Sequence, residues 1–303
     1  MTSTVPRLSA ADFAPEVLQL FDQYVHGGLS RRGFLEGAQR YATGAAGAAG
    51  LLAALSPQFA AAEQVAKSDP RIVARWQELD SPLGTGKVRG YLVKPARSAT
   101  AAAKLPVVLV VHENRGLNPH IEDITRRLAV DGFLAFAPDA LHPLGGYPGD
   151  EDKARELFGK LDAPKTRADL VAATRFLQAL PEGNGRVGVV GFCWGGGIAN
   201  YLATELPDLA AAVPFYGGNP PTDTVAKIKS PLQIHFAAND ERINAGWPAY
   251  EAALKAAGVP HEAFVYPGTQ HGFNNDTTPR FDAAAAALAW QRTLAFFRTH
   301  LQA

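Results

Sequence analysis

From about residue 88 onward the chain alternates two hydrophobic rhythms. Pro106-Val107-Val108-Leu109-Val110-Val111 is an unbroken apolar, β-branched run, the pattern of a strand buried on both faces. Residues 133–137, 187–190, 211–215, 232–236 and 263–266 repeat it in shorter form, and residues 88–94 read as a strand after the turn Gly84-Thr85-Gly86. Between them the apolar positions recur at helical spacing, over about residues 121–130, 152–161, 166–180, 196–206, 248–257 and 281–301. Buried strands separated by helices predict an α/β fold, a mostly parallel sheet with helices on both faces. The run Ala283–Ala289 in the last helix reads as close packing, and no repeat or heptad pattern is present.

The first 62 residues follow a different rule, so the chain divides into an N-terminal extension, 1–62, and a main domain, 63–303, with a turn-rich boundary near Ser68-Asp69-Pro70. Arg31-Arg32 is followed by Phe34-Leu35, an Ala/Gly/Leu stretch from Tyr41 to Leu55, and Phe59-Ala60-Ala61-Ala62. That order matches a twin-arginine export signal with cleavage after Ala62, and predicts an exported, periplasmic protein. The stretch is too short and too glycine-rich for a permanent span, so no stable membrane association is expected. The competing reading is a retained amphipathic extension on a cytoplasmic protein. Asp12, Glu16 and Asp22 make the leading segment acidic, Glu36 stands where signals often carry a cation, and Val17, Leu18, Leu20, Phe21 and Val25 form an apolar helical face.

Composition narrows the chemistry. The 303 residues carry 29 Lys+Arg against 29 Asp+Glu, which leaves no basic footprint for nucleic acid. A single cysteine excludes an internal disulfide and any multi-thiolate metal site. No H-E-x-x-H or clustered His/Asp spacing suggests a metal, and no motif asks for a cofactor.

That one cysteine stands in Gly191-Phe192-Cys193-Trp194-Gly195-Gly196-Gly197, directly after the apolar run 187–190 and before a helix. This is the G-x-nucleophile-x-G form of a strand-to-helix elbow, with Cys in place of Ser. A dinucleotide fingerprint would need a further glycine where Asn200 stands, and a phosphate-binding loop would need a lysine that is absent. Glycine-mediated packing around a buried cysteine is the bland alternative. Two partners argue against it. Asp240 closes the strand pattern Gln233–Asn239, and His271 follows the strand pattern Ala263–Tyr266. Nucleophile, acid and histidine thus arrive in the order that a triad on this elbow requires.

Residues 75–302 resemble the dienelactone hydrolase family of α/β hydrolases. The resemblance rests on His112-Glu113-Asn114-Arg115-Gly116, Pro138-Asp139, the elbow, the Asp240 loop and Gln270-His271-Gly272-Phe273. It implies a thiol-dependent hydrolase of lactones or small carboxylic esters, acting through Cys193, His271 and Asp240 and an acyl-enzyme. Glu113 would help deprotonate or position the thiol. The backbone N–H groups of Trp194 and Asn114 would form the oxyanion hole, with His271 as general base and Asp240 fixing its tautomer. Arg115, Tyr216, Trp247 and Phe273 are candidates to line the substrate pocket, against the plainer expectation that the aromatic residues are core. His112 reads as a hydrogen-bonded structural histidine.

Two departures stand out. Family members that hold a substrate carboxylate place one arginine four positions after the catalytic histidine, where this chain has Asn275, and the other aligns with Glu151. Glu113 therefore lacks its expected cationic partner, with Arg115, Arg242 and Arg280 the candidates to compensate. A non-catalytic binding protein on the same fold, or a single-cysteine redox sensor, are the alternatives to an enzyme. The first is weakened by the intact triad order and the second by the absence of a resolving cysteine. Oligomeric state is not legible.

Overall fold

The computed structural model describes residues 7–42, 47–96 and 104–302. Part of the Ala/Gly stretch, residues 43–46, lies outside them. The N-terminal segment holds α1 (Pro15–Val25), α2 (Arg31–Ala38), α3 (Gly47–Leu55) and α4 (Phe59–Ala62). The main domain follows as β1 (Ile72–Ser81), β2 (Gly86–Pro95), β3 (Leu105–Val111), α5 (Pro119–Val130), β4 (Leu134–Pro138), α6 (Glu151–Phe158) and α7 (Ala163–Ala179). It continues with β5 (Gly183–Phe192), α8 (Trp194–Glu205), β6 (Ala211–Phe215), β7 (Leu232–Asn239), α9 (Glu241–Asn244), α10 (Trp247–Ala256), β8 (His261–Gln270) and α11 (Ala283–Leu301).

The eight strands form one sheet in the order β1-β2-β4-β3-β5-β6-β7-β8. β1 to β2 and β2 to β4 are antiparallel, and every other pairing is parallel. The alternating β-α pattern read from the sequence is therefore the architecture, an α/β fold with helices packed on both faces. β3 shows why the unbroken run forms a strand here: Val107 and Leu109 enter the apolar cluster on one face, Val108 and Val110 the cluster on the other. The edge strand β1 was not anticipated. It carries Arg75, Glu78 and Asp80, and leaves Val73 and Trp76 exposed, so neither alternation nor a continuous run marks it.

The N-terminal helices have a small core of their own, in which Phe13, Val17, Leu18, Phe21, Phe34, Leu52 and Leu55 are buried. The apolar face read in α1 points into it. Ser30 caps α2 through a bond from the Gly33 N–H. Arg31 pairs with Asp152 of α6 at 2.8 Å, and Arg32 with Glu36 at 2.7 Å. The chain leaves this unit through a buried ionic cluster: Asp123 accepts from the backbone N–H groups of Gln64 and Val65, while Arg126 donates to the Val65 carbonyl at 2.6 Å. No helix among the described residues is long and apolar enough to cross a membrane.

Candidate active site

β5 ends in the elbow. Cys193 has φ 55° and ψ −113°, a region that costs strain for any residue with a Cβ, and its N–H bonds to the Phe215 carbonyl at 3.0 Å. The flanking glycines explain how the turn closes. A Cβ on Gly191 would lie 1.9 Å from the Gly195 carbonyl oxygen, and one on Gly195 would lie 2.3 Å from that of Val111. The turn presents Cys193 at the C-terminal edge of the sheet and at the start of α8. There the first-turn N–H groups have no intrahelical carbonyl and the helix dipole favours negative charge.

Asp240, at the end of β7, and His271, after β8, arrive at the same edge because their strands are parallel neighbours. His271 donates from Nδ1 to Asp240 Oδ2 at 2.5 Å, and both are buried. Its Nε2 has no hydrogen-bond partner among the described residues and lies within 4.8 Å of Cys193 Sγ. Tyr216, beside them, also has a left-handed backbone (φ 37°), and its buried hydroxyl has no partner among the described residues. The Tyr216 ring centroid is 5.0 Å from that of His271.

A third group at the sulfur was not anticipated. His26 Nε2 is 3.4 Å from Cys193 Sγ, and its ring stands edge-on to His271 at 4.6 Å between centroids. It comes from the N-terminal segment, where it ends α1 and Gly27 (φ 81°) turns the chain away. Its Nδ1 donates to the Asp22 carbonyl at 2.8 Å and lies 3.2 Å from Asp22 Oδ1. The Arg242 guanidinium is 3.3 Å from its Nε2. In the sequence, Val25-His26-Gly27-Gly28 reads as a helix end; only the docking of α1 brings it to residue 193.

These neighbours set the ionisation. Burial opposes a thiolate on Cys193, but the charge of His271 and the hydrogen bond from His26 outweigh it, bringing the thiol down to about 6. Burial likewise opposes the His271 imidazolium; the thiolate and Asp240 overcome it and push the ring up to about 10. His26 is also raised, by Asp22 and Cys193 against burial. Both shifts favour a thiolate–imidazolium pair over a neutral thiol and imidazole.

A pocket of about 390 Å³ opens over Cys193, lined by Tyr216, Trp194, Phe158 and, from the N-terminal segment, Val25, His26 and Gly27. Arg155 and Arg242 also reach it, and no carboxylate among the described residues does. Glu113 and Arg115 face a different pocket on the far side of Val25. Phe273, one of the expected lining residues, is instead core, fully buried against Tyr216 and Tyr266. Trp247 likewise packs on Phe236 and Tyr250, away from the sulfur. His112 is structural as expected: its Nδ1 bonds to the Glu113 carbonyl, its Nε2 accepts from the Ala140 N–H, and its ring stacks on Trp194.

His26, Cys193 and His271 also bring three potential metal-ligand atoms within 4.8 Å of one another, a set that no local spacing reveals. The Arg242 guanidinium, 3.3 Å from His26 Nε2, opposes an added cation there, so the three side chains are read as a thiol between two imidazoles and not as a metal site.

Comparison with known proteins bears on this geometry. The family model described as Dienelactone hydrolase family matches residues 88–301. The chain belongs to the dienelactone hydrolase family. Among its relatives is a Synechocystis protein named "Putative carboxymethylenebutenolidase", 35% identical over 234 residues, covering 71% of this chain and 93% of that one. The Escherichia coli K12 "Putative hydrolase fragment YghX" is 56% identical over 108 residues, 36% of this chain and 90% of the fragment. A solved structure of a "Putative Dienelactone Hydrolase" from Klebsiella pneumoniae superposes with TM-score 0.64 at 30% identity, covering 74% of this chain and 98% of that one. The protein is accordingly a hydrolase acting on ester bonds. A second family model, YqhI-like, matches residues 5–44, the part of the N-terminal segment that contains His26.

As a dienelactone hydrolase family member, the chain resolves its two departures in a specific way. Asn275 donates from Nδ2 to Glu113 Oε2 at 2.9 Å, so an amide takes the place where an arginine was expected. Arg115 faces Glu151 at 3.7 Å, and burial raises the Glu151 carboxyl although Arg115 opposes that shift. Arg280 lies over the Phe21 ring and 3.6 Å from Asp22, not on Glu113.

Proposed function

We propose that the protein hydrolyses lactones or small carboxylic esters with Cys193 as nucleophile, through an acyl-enzyme. The observation that carries this reading is a free cysteine on a strained elbow, beside a histidine whose other nitrogen is bonded to Asp240 at 2.5 Å. The thiolate attacks the carbonyl carbon, forming a C–S bond as the π pair moves to oxygen. Backbone N–H groups of Trp194 and Asn114 hold that oxyanion. Collapse restores the carbonyl and expels the alkoxide, which takes a proton from the His271 imidazolium. Neutral His271 then accepts a proton from water as the water attacks the thioester, and departure of the thiolate restores the ion pair. Because the pair is formed before substrate arrives, His271 begins as the acid rather than as the base of the usual serine sequence.

A thiolate leaves more readily than an amine, so amide substrates revert where activated esters go forward. The Cys193 pocket has room for a small acyl group. The test is a stopped-flow assay with p-nitrophenyl acetate. A burst of nitrophenolate matching the enzyme concentration, abolished in Cys193→Ala, is the expected result; a linear trace with no alkylation of Cys193 by iodoacetamide would overturn it.

The N-terminal segment belongs, on this reading, to the working enzyme. Its own core, its pairing with Asp152 and its place over the sulfur all favour retention over removal at Ala62, whichever compartment the protein occupies. The intact mass of protein recovered from its native source decides this.

A further inference from the structure

We propose that His26 is a catalytic residue of this hydrolase, which holds the Cys193 sulfur as thiolate in the free enzyme and takes over the role that family resemblance gives to Glu113. The inference rests on Cys193 being the nucleophile.

Three independent features support it. The first is symmetry of construction. His271 is oriented through Nδ1 by Asp240, and His26 is oriented through Nδ1 by the Asp22 carbonyl, with the Asp22 carboxylate 3.2 Å away. A ring fixed at one nitrogen presents the other, and both rings present Nε2 toward the same sulfur, His26 at 3.4 Å. The second is position. His26 closes α1, where the carbonyl end of the helix favours a cation on its ring. Asp22, one turn earlier, is itself held well below the usual carboxylate range against burial, chiefly by His26. The third is the removal of the competitor. Glu113 is engaged by Asn275 and faces the neighbouring pocket, so its carboxylate is committed away from the thiol.

The proton accounting is simple. With Nδ1–H donated to Asp22, neutral His26 offers the lone pair of Nε2 to the thiol. Transfer of the S–H proton to that nitrogen leaves a thiolate and an imidazolium, and Nε2–H then donates back to sulfur. When the thiolate becomes a thioester its charge is gone, and His26 loses the partner that favoured its second proton. Around the sulfur and the His26 ring, the other charged or titratable groups are Asp22 with Arg280 beside it, His271 with Asp240 behind it, Arg242 from α9, Arg155 from α6, Arg115 after β3, and Tyr216. His26 and Asp22 come from the N-terminal segment. Arg242, beside Nε2, limits how readily the ring takes its second proton, which makes Asp22 the necessary counter-charge.

The experiment measures alkylation of Cys193 by iodoacetamide against pH, in the full-length chain, for wild type, His26→Gln and Asp22→Asn. Wild type should show a midpoint near 6. His26→Gln should move the midpoint up by about one unit or more, equivalent to about a tenfold loss of thiolate at the acidic end. Asp22→Asn should move it the same way by less, which covers the case in which His26→Gln folds poorly. Ester hydrolysis should fall about tenfold at pH 6 and by no more than about threefold at pH 9, since alkali supplies the thiolate without His26. External imidazole should restore part of the loss in His26→Ala. A midpoint unchanged in both variants, or a loss equal at every pH, overturns the assignment. If those results came with Cys193→Ala inactive, only the role of His26 would fall; hydrolysis surviving in Cys193→Ala would remove the thiol mechanism itself.

Discussion

The two histidines that meet at Cys193 are delivered by regions built on different principles. His271 follows a strand of an eight-stranded sheet and is fixed by its neighbour strand's Asp240. His26 ends an 11-residue helix whose apolar face is buried in a separate small core, and it reaches the sulfur only because that unit docks over the sheet edge. The sheet-borne half of the site is set by hydrogen-bond ladders, where a slip of register would move every residue at once. The segment-borne half depends on a few contacts: Asn114 and Arg115 donating to the Val25 carbonyl, Arg31 with Asp152, and Arg155 with the Tyr24 and Leu29 carbonyls. A site of this kind can lose one half and retain the other.

The largest effects should come from the sheet-borne half. Cys193→Ala should reduce ester hydrolysis at least about 10³-fold, and His271→Ala by a comparable factor, because residues acting as one unit fail together. Steady-state rates with p-nitrophenyl acetate at pH 8 check this, and a double variant no worse than either single one would confirm the shared step. Gly195→Ala should be as damaging by another route. Its Cβ meets the Val111 carbonyl oxygen at 2.3 Å, backbone against backbone, so the elbow must open at a cost of about 3 kcal/mol or more. Thermal melting together with the burst amplitude would show both losses; a folded, fully active Gly195→Ala would contradict the described elbow.

The pH dependence sharpens the same comparison. The thiol lies below its ordinary value and His271 above its own, so the ion pair should exist between about pH 6 and about 10. Below 6 the sulfur takes a proton and activity falls; above 10 His271 loses the proton that the leaving oxygen needs, and activity falls again. A profile of kcat/KM from pH 5 to 11 should be a broad bell, its two limbs belonging to the coupled pair.

Phe34→Ala probes the segment-borne half. Phe34 is fully buried in the small core, packed edge-on against Phe21 and tilted against Tyr24, and its removal should cost about 3–5 kcal/mol. That loss should fall on the segment alone. Limited proteolysis should cut within residues 7–62 while the main domain stays intact, and the remaining activity should resemble that of His26→Gln, weak at pH 6 and near normal at pH 9. Simultaneous loss of the whole fold would show that the two regions are one cooperative unit.

How much of this was legible follows the same division. The elbow, Asp240 and His271 were readable because each is a local pattern, a buried run followed by a particular residue, and because chain order in a parallel sheet fixes spatial order. The buried strands were readable for the same reason, whereas β1 was not, since an edge strand with one solvated face carries charges where a core strand cannot. His26 left no comparable mark. A histidine before two glycines at a helix end is an ordinary sequence, and its function comes from a contact 167 residues away along the chain. Asn275 is intermediate: its departure from the arginine was visible, but its bond to Glu113 required the fold. The pocket aromatics show the reverse error. Phe273 and Trp247 were near the site in sequence, but Phe273 lies in the core and Trp247 packs half-buried against it, because large aromatic side chains next to sheet edges are more useful as packing.

The smallest effect on the protein itself should come from the twin arginines, and there it separates two histories of the segment. Arg31, Arg32 and Glu36 are exposed and Asp152 partly so, and such pairs contribute about 0–1 kcal/mol each. Lysine at both positions keeps the charge, so R31K/R32K should melt within a few degrees of wild type and hydrolyse esters at the same rate. An export signal is read quite differently, by a receptor that needs the arginine pair itself. If the segment is a retained part of the enzyme, the double variant should be found in the same compartment as wild type and at the same full mass, with His26 still attached. If wild type is recovered beginning at Glu63 and the double variant is not, the segment is a signal, and His26 acts only until it is cleaved. Cleavage after Ala62 would uncover the Cys193 pocket and take the His26 ring away from the sulfur, so retention is the expected outcome.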